Sequence, residues 1–133
     1  MAHANLAVPT DIKLKMVSGN ISANNTTDTI TMNESTDTSW LVKKITITNQ
    51  DTSFNKDCQV RVSLYNLGGN TAHRYLLYDA WVPFGTSLDV IDDSTPIYLQ
   101  SVSGSYDESI AVTMVGGAAN GIDYSINYSE IKN

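Results

Sequence analysis

Apolar and polar residues alternate one by one along much of the chain, which is the pattern of a β-strand with one buried face. The alternation is most regular near the end, where Ile122, Tyr124, Ile126 and Tyr128 share one face. The alternating segments are 12–16, 29–32, 40–48, 60–65, 110–114 and 122–128, and the shorter or doubly apolar segments 75–82, 87–91 and 96–99 are interpreted as further strands. Alternation of this kind is typical of antiparallel sheets with one solvated face.

Short runs rich in glycine, asparagine and proline separate these segments, as in 66–70, 83–85, 116–117 and 120–121. No helical periodicity lies between the strands, so parallel pairing, which needs long crossovers, is disfavoured. We therefore predict an all-β protein with a single antiparallel β-sandwich of about 8–9 strands. Jelly-roll and immunoglobulin-like topologies both fit. The sandwich domain is expected over 11–133, after an extended N-terminal arm over 1–10.

Composition supports strands and excludes several classes of partner. Ser, Thr and Asn together make 40 of 133 residues, against only three Glu, which suits turns and solvated sheet faces better than helix surfaces. A net charge of −6 disfavours nucleic acid, whose binding needs a basic surface. The start of the chain lacks the features of a signal peptide, and no apolar run is long enough for a membrane helix. We expect neither nucleic acid nor a membrane as partner.

Charge is unevenly distributed along the chain. Residues 1–74 contain seven basic and six acidic groups, whereas residues 75–131 contain eight acidic groups and no basic one. Solubility alone is one explanation. The other is that the acidic part of one copy contacts the lysine-bearing part of a neighbour.

Residues suited to catalysis are few. The two histidines, His3 and His73, are expected in the arm and in a polar loop, and Cys58 is expected to be a small buried apolar residue before a strand. The chain has neither a G-x-S-x-G nucleophile elbow nor a phosphate-binding G-x-x-x-x-G-K-[ST] loop. We predict a protein that is not an enzyme, with no catalytic residue and no cofactor.

The densest acidic cluster is Asp89, Asp92 and Asp93. Oxygen-rich loops of β-sandwiches can bind Ca²⁺, but the spacing here matches no EF-hand loop, and Asp-Asp-Ser is also an ordinary turn. We favour the turn and predict no metal site.

Aromatic residues allow two interpretations. Trp40, Trp81 and the tyrosines could stack on sugar rings, as in a carbohydrate-binding module, although Trp81 follows an apolar run that favours the core. Tyr124 and Tyr128 share their face with two isoleucines, which indicates either the core or a buried subunit interface.

The region from about 38 to 131 resembles small β-sandwich virion proteins of tailed bacteriophages. The resemblance is carried by the combination of segments 44–49, 60–65, 75–78, 82–91, 96–99 and 126–131. It implies a structural role in a virion, either as a capsid decoration or cement protein or as a neck, tail-adaptor or fibre component. It also implies binding to the major capsid protein or other virion proteins, a location on the capsid surface, and assembly in the host cytoplasm.

Binding to a capsid needs no catalytic or metal-binding residues, so we choose candidate interface residues by their position in the chain. The arm could lie along an adjacent subunit and become ordered on contact. The tyrosine face could anchor a homo-oligomer, a trimer or a dimer. The predicted interface residues are Ala4, Asn5, Leu6, Val8, Pro9, Tyr124 and Tyr128.

Overall fold

The structure, a computed structural model, describes residues 11–31, 38–51, 56–68, 71–92, 96–102, 106–117 and 121–132. Nine β-strands lie within these ranges. They are β1 (Asp11–Ile21), β2 (Thr26–Thr31), β3 (Thr38–Asn49), β4 (Cys58–Gly68), β5 (Thr71–Val82), β6 (Ser87–Ile91), β7 (Ile97–Val102), β8 (Tyr106–Gly116) and β9 (Ile122–Lys132). The predicted interface residues of the arm, Ala4 to Pro9, lie outside the described residues.

The strands form two antiparallel sheets packed as a sandwich, which confirms the predicted fold class. The first sheet has the order β1–β9–β3, and β6 and β7 pair one after the other with the remaining edge of β3. The second sheet has the order β2–β8–β4–β5. The end of β7 also pairs with the start of β8, which connects the two sheets at one corner.

The pairings identify the topology as a jelly roll. They are nested: β1 pairs with β9, β2 with β8, β3 with β6 and β7, and β4 with β5. The chain is thus one long hairpin, rolled so that β9 also meets β3 and β8 also meets β4. Strands that alternate between two sheets in this way are typical of a jelly roll, so this alternative replaces the immunoglobulin-like one.

The core lies between the two sheets and consists mainly of β-branched aliphatic residues, which favour strands. Its largest fully buried side chains are Ile21, Ile45, Ile47, Leu99, Ile110, Met114, Ile122, Ile126, Val42, Val60 and Val62. A register shift between Val42 and Lys44 turns both Val42 and Ile45 inward although they are three residues apart. Cys58, at the start of β4, is buried as predicted.

β1 departs from the expectation set by its alternation. The apolar residues Ile12, Leu14 and Met16 face solvent, and the inward face is formed further along the strand by Val17 and Ile21. Alternation shows which residues share a face, but packing against the second sheet decides which face is buried.

Gly19, which lies between Val17 and Ile21 on β1, makes room for the aromatic ring of Tyr124. Gly19 is the register partner of Tyr124, and a Cβ atom at Gly19 would clash with the Tyr124 hydroxyl oxygen. The hydroxyl donates a 2.9 Å hydrogen bond to Oδ2 of Asp28 on β2. Burial, together with this hydrogen bond and the nearby charge of Asp28, raises the pKa of Tyr124 to about 12. The Tyr124 side chain therefore lies against β1, an edge strand of the first sheet, and bonds to β2, an edge strand of the second sheet.

At the same end of the sandwich, where Asn49 pairs with Ile122, the buried amide of Asn49 joins a loop to a strand. Asn49 Nδ2 donates to the carbonyl oxygens of Lys56 at 2.8 Å and Val82 at 3.0 Å. Its Oδ1 accepts from the backbone N–H of Asp51 at 3.0 Å, and Asp51 Oδ2 in turn accepts from the N–H of Lys56 at 2.7 Å. These bonds hold the β3–β4 loop against the end of β5 and satisfy polar groups that are out of contact with water.

Candidate binding surfaces

Six large apolar or aromatic side chains are substantially exposed in the described residues. They are Ile12 (56%), Leu14 (79%), Met16 (64%), Trp81 (58%), Phe84 (41%) and Tyr98 (41%). Scattered exposure of single residues is ordinary, whereas clustered exposure marks a binding site. Here the first three are clustered on a single strand.

We name the exposed side chains of Ile12, Leu14 and Met16 the β1 stripe. They lie on the outer face of β1, at an edge of the first sheet. Beside the stripe is a mainly apolar groove of about 430 Å³, lined by Leu14, Lys15, Met16, Lys43, Asn127 and Tyr128. Two lysines at an apolar groove favour a partner that is apolar at its centre and acidic at its rim.

The register connects the β1 stripe with Tyr98 at the other edge of the sheet. Leu14 pairs with Ser129, Ser129 with Leu41, and Leu41 with Tyr98. These four residues therefore form one row across the outer face. The two exposed ends of the row are apolar or aromatic, while Ser129 in its middle is buried.

A second groove, of about 450 Å³, lies further along the same outer face and is polar. It is lined by Ser18, Gly19, Asn20, Thr46, Thr48, Asp123, Tyr124 and Ser125. Many of its polar groups already bond each other or neighbouring strands. Asn20 donates to Asp123 at 2.8 Å, and Thr46 donates to Asp89 at 2.8 Å. Because these contacts are internal, the groove is a cross-strand network on a solvated face.

Trp81 lies near the end of β5, on the outer face of the second sheet. The structure corrects the expectation that it belongs to the core. It is the register partner of Gln59, beside Asp79. Asp79 accepts from Gln59 Nε2 at 3.1 Å and from Arg61 Nη2 at 3.1 Å, and these two hydrogen bonds lower its pKa. An exposed indole therefore stands beside an ordered set of polar groups.

Tyr124 and Tyr128 lie inside the sandwich, each only 7% exposed. The Tyr128 ring stacks on Trp40, with centroids 4.2 Å apart and an interplanar angle of 24°. Of the two interpretations that the alternation allowed, the structure thus places both tyrosines in the core of a single chain. The predicted role of Tyr124 and Tyr128 in a subunit interface stays a prediction.

Comparison with known proteins gives fold similarity only. No family model and no curated protein matches this sequence. Among solved structures, a protein of Bacillus endospore appendages, a family of disulfide-linked pili, has a TM-score of 0.46 at 15% identity, over 91% of this chain and 88% of that one. A CBM4 structure has a TM-score of 0.37 at 10% identity, over 88% and 84% of the two chains. A chain of infectious bursal disease virus, Gt strain, has a TM-score of 0.32 at 12% identity, over 91% of this chain and 32% of that chain.

The likeness to these pilus, CBM4 and viral structures is distant and identifies no specific family. It carries no functional argument.

Of the candidate acidic and histidine positions, Asp93 and His3 lie outside the described residues, and Asp89 and His73 lie in strands. Asp89 lies on β6, where it accepts from Thr46 and has Lys44 Nζ at 3.6 Å. Within the described ranges, no three side chains of His, Cys, Asp or Glu come together as a metal site would require. His73, expected in a loop, belongs to β5 and pairs with Asn66. None of the described residues belongs to a helix long and apolar enough to cross a membrane.

Proposed function

We propose that this protein is a non-enzymatic structural component of a virion, a capsid decoration or cement protein that binds and stabilises the major capsid lattice. The observation that supports this function best is the presence of two separate exposed apolar surfaces on one sandwich. One is the β1 stripe, at an edge of the first sheet, and the other is the exposed Trp81 near the end of β5, followed along the chain by the exposed Phe84.

Two surfaces suit a cementing role because each copy can bind more than one neighbour. Weak contacts repeated over a lattice add up through multivalency, so no single interface has to be large. The N-terminal arm supplies a third possible contact, through Ala4, Asn5, Leu6, Val8 and Pro9. The resemblance of residues 38–131 to small virion proteins of tailed phages points to the same class of function.

Copy number per particle tests this proposal. Particles of the phage that encodes the chain are purified, and the chain is quantified against the major capsid protein by mass spectrometry. A number matching the capsid lattice supports decoration, whereas about a dozen copies or fewer would indicate a neck, tail-adaptor or fibre component. Absence of the chain from intact particles would overturn the virion proposal.

The arm is tested by deleting residues 2–10. Lower occupancy on particles is expected because the shortened chain would lose the contacts that the arm makes with an adjacent subunit. Unchanged occupancy and unchanged particle stability would contradict a role for the arm.

The geometry of Trp81 favours one second candidate, a carbohydrate-binding module. An exposed indole can stack on a sugar ring, and the ordered Asp79, Arg61 and Gln59 beside it can bond sugar hydroxyls. A glycan array tests this with the wild type and Trp81→Ala, using Phe84→Ala as a second aromatic removal. Binding that Trp81→Ala abolishes would favour the module. No binding on the array would contradict the carbohydrate-binding candidate.

A further inference from the structure

The apolar groove beside the β1 stripe has two ends of different chemistry, and we name it the Lys43 groove. Leu14 and Met16 on β1 line the apolar end, and Lys43 on β3 lines the cationic end. Asn127 on β9 lines the groove between them, since β9 is the strand between β1 and β3. Neighbouring strands lie about 4.8 Å apart, so the two ends are separated by about 10 Å.

Lys43 is the cation of this groove that lacks a counter-charge. Lys15, the other lysine of the groove, bonds Glu130 at 2.8 Å. Lys44, the next residue along β3, has Asp89 at 3.6 Å. Lys43 is partly buried, and within the part of the chain that the structure describes it forms no ion pair. An ammonium group that is partly removed from water gains from an anionic partner, so Lys43 is available to an anionic ligand.

The bulge in β3 explains how Lys43 comes to line the groove. In the register with β9, Val42 pairs with Tyr128 and Lys44 with Asn127, so Lys43 is the extra residue. Bulges are common next to active sites, where they re-aim a side chain. Lys44 is directed to the β6 side, where it pairs with an aspartate, whereas Lys43 lines the groove on the β9 side. The two consecutive lysines therefore contact different parts of the outer face.

An anion with an alkyl chain matches both ends of the groove. The anionic head would contact the Lys43 ammonium group, and the exposed amide of Asn127 can donate a further hydrogen bond. The chain would cover Leu14 and Met16, which are 79% and 64% exposed, and remove their apolar surface from water. A span of about 10 Å corresponds to a chain of about eight carbons.

The net charge of the protein separates a free anion from a membrane surface. At −6, the chain is repelled by an anionic bilayer, whose field acts on the whole molecule. A single small anion instead responds mainly to the nearest charge, because the more distant acidic groups are screened by salt. The free anion is therefore the ligand that fits the groove.

We propose that the Lys43 groove binds a free amphiphilic anion of medium chain length, such as a fatty carboxylate, with its head at Lys43 and its chain over Leu14 and Met16. The inference concerns the chain alone and holds whether or not the proposed virion function is correct.

The test titrates the full chain with octanoate, using calorimetry and amide NMR spectra. Octyltrimethylammonium, which has the same chain and the opposite charge, is the matched ligand, and vesicles of anionic phospholipid represent a membrane. Lys43→Met removes the cation, with Lys44→Met as its control. Leu14→Ser removes apolar surface, with Ile12→Ser as its control, because Ile12 lies on the same face of β1 and does not line the groove. Circular dichroism confirms that each variant is folded.

We expect octanoate to bind the wild type and both control variants with similar affinity. Lys43→Met and Leu14→Ser should each weaken binding about fivefold. Shortening the ligand to hexanoate should weaken it about twofold to fourfold for each carbon removed. Amide shifts should be centred on β1, β9 and the bulge of β3.

Several outcomes would overturn the proposal. One is the absence of octanoate binding up to about 10 mM, and another is equal binding of octyltrimethylammonium. Equal effects of Lys43→Met and Lys44→Met would remove the assigned head position. Binding to the vesicles without binding to octanoate would assign the groove to a membrane, and self-association of the wild type that Lys43→Met abolishes, again without octanoate binding, would assign it to a second copy. These measurements need no particles, so their failure is distinct from absence of the chain from virions.

Discussion

Gly19→Ala is the substitution whose cost can be worked most directly from the geometry. The new Cβ atom would clash with the hydroxyl oxygen of Tyr124 and would lie 2.6 Å from the ring carbon that bears it and 2.9 Å from the next ring carbon. These distances are about 1 Å inside ordinary contact. The ring cannot easily withdraw, because it is buried between the sheets and its hydroxyl is held by Asp28 at 2.9 Å.

Overpacking of this kind costs about 1–3 kcal/mol, and replacing a strand glycine by alanine returns about 0.5–1 kcal/mol through the unfolded chain. We therefore expect Gly19→Ala to lower the free energy of unfolding by about 1–2 kcal/mol. Gly116→Ala is the matched control. It is also in a strand, but a Cβ there meets nothing within 4 Å. The control should be neutral or stabilised by up to about 1 kcal/mol.

Urea unfolding, followed by tryptophan fluorescence, measures both variants and also Tyr124→Leu and the double variant Gly19→Ala/Tyr124→Leu. If the ring causes the cost, the double variant should be more stable than the sum of the single effects predicts, by about 1–2 kcal/mol. Strict additivity, or equal effects of Gly19→Ala and Gly116→Ala, would refute the explanation.

Three further predictions follow from single contacts. Tyr124 has a raised pKa in the folded state, so its contribution to stability is complete below about pH 10 and declines as the pH rises towards about 12; melting temperatures should show a component in this window that Tyr124→Phe removes. Asn49→Ala should lower the free energy of unfolding by about 2–3 kcal/mol because it leaves buried backbone carbonyl groups without a hydrogen-bond donor. Asn20 is exposed, so Asn20→Ala should lower it by less than about 1 kcal/mol in the same urea assay. Gln59→Ala should raise the pKa of Asp79 in an NMR titration, and an unchanged value would contradict the role of the Gln59 amide.

Strand positions were largely predictable from the sequence, because a period of two is a local property. The jelly-roll order was not, since alternation does not show which strand pairs with which. The bulge in β3 illustrates the limit: a strict period of two cannot turn both Val42 and Ile45 inward, and only the pairing with β9 shows the extra residue. Turn chemistry gave better guidance, as Gly121 and Gly85 both adopt the positive φ expected of turn glycines.

The binding surfaces were less predictable than the strands. Ile12, Leu14 and Met16 have the pattern of core residues, and their exposure results from the position of β1 at an edge of the first sheet. Trp81 likewise follows an apolar run, yet its register with Gln59 places it on the solvent side of β5. The signal that could have identified both is charge: lysines flank Leu14, and Asp79 precedes Trp81 by two residues on the same face.

The nested order of pairing also determines when the fold can be completed during synthesis. β9, the last described strand to leave the ribosome, lies between β1 and β3 in the first sheet. Until it emerges, β1 lacks its pairing partner, and β3 lacks the neighbour on that side. Contacts of such large separation along the chain slow folding and leave apolar strands exposed in the meantime. Nascent chains should therefore depend on chaperone protection until translation has passed β9, and a stop codon placed before Ile122 should yield aggregated rather than partly folded protein.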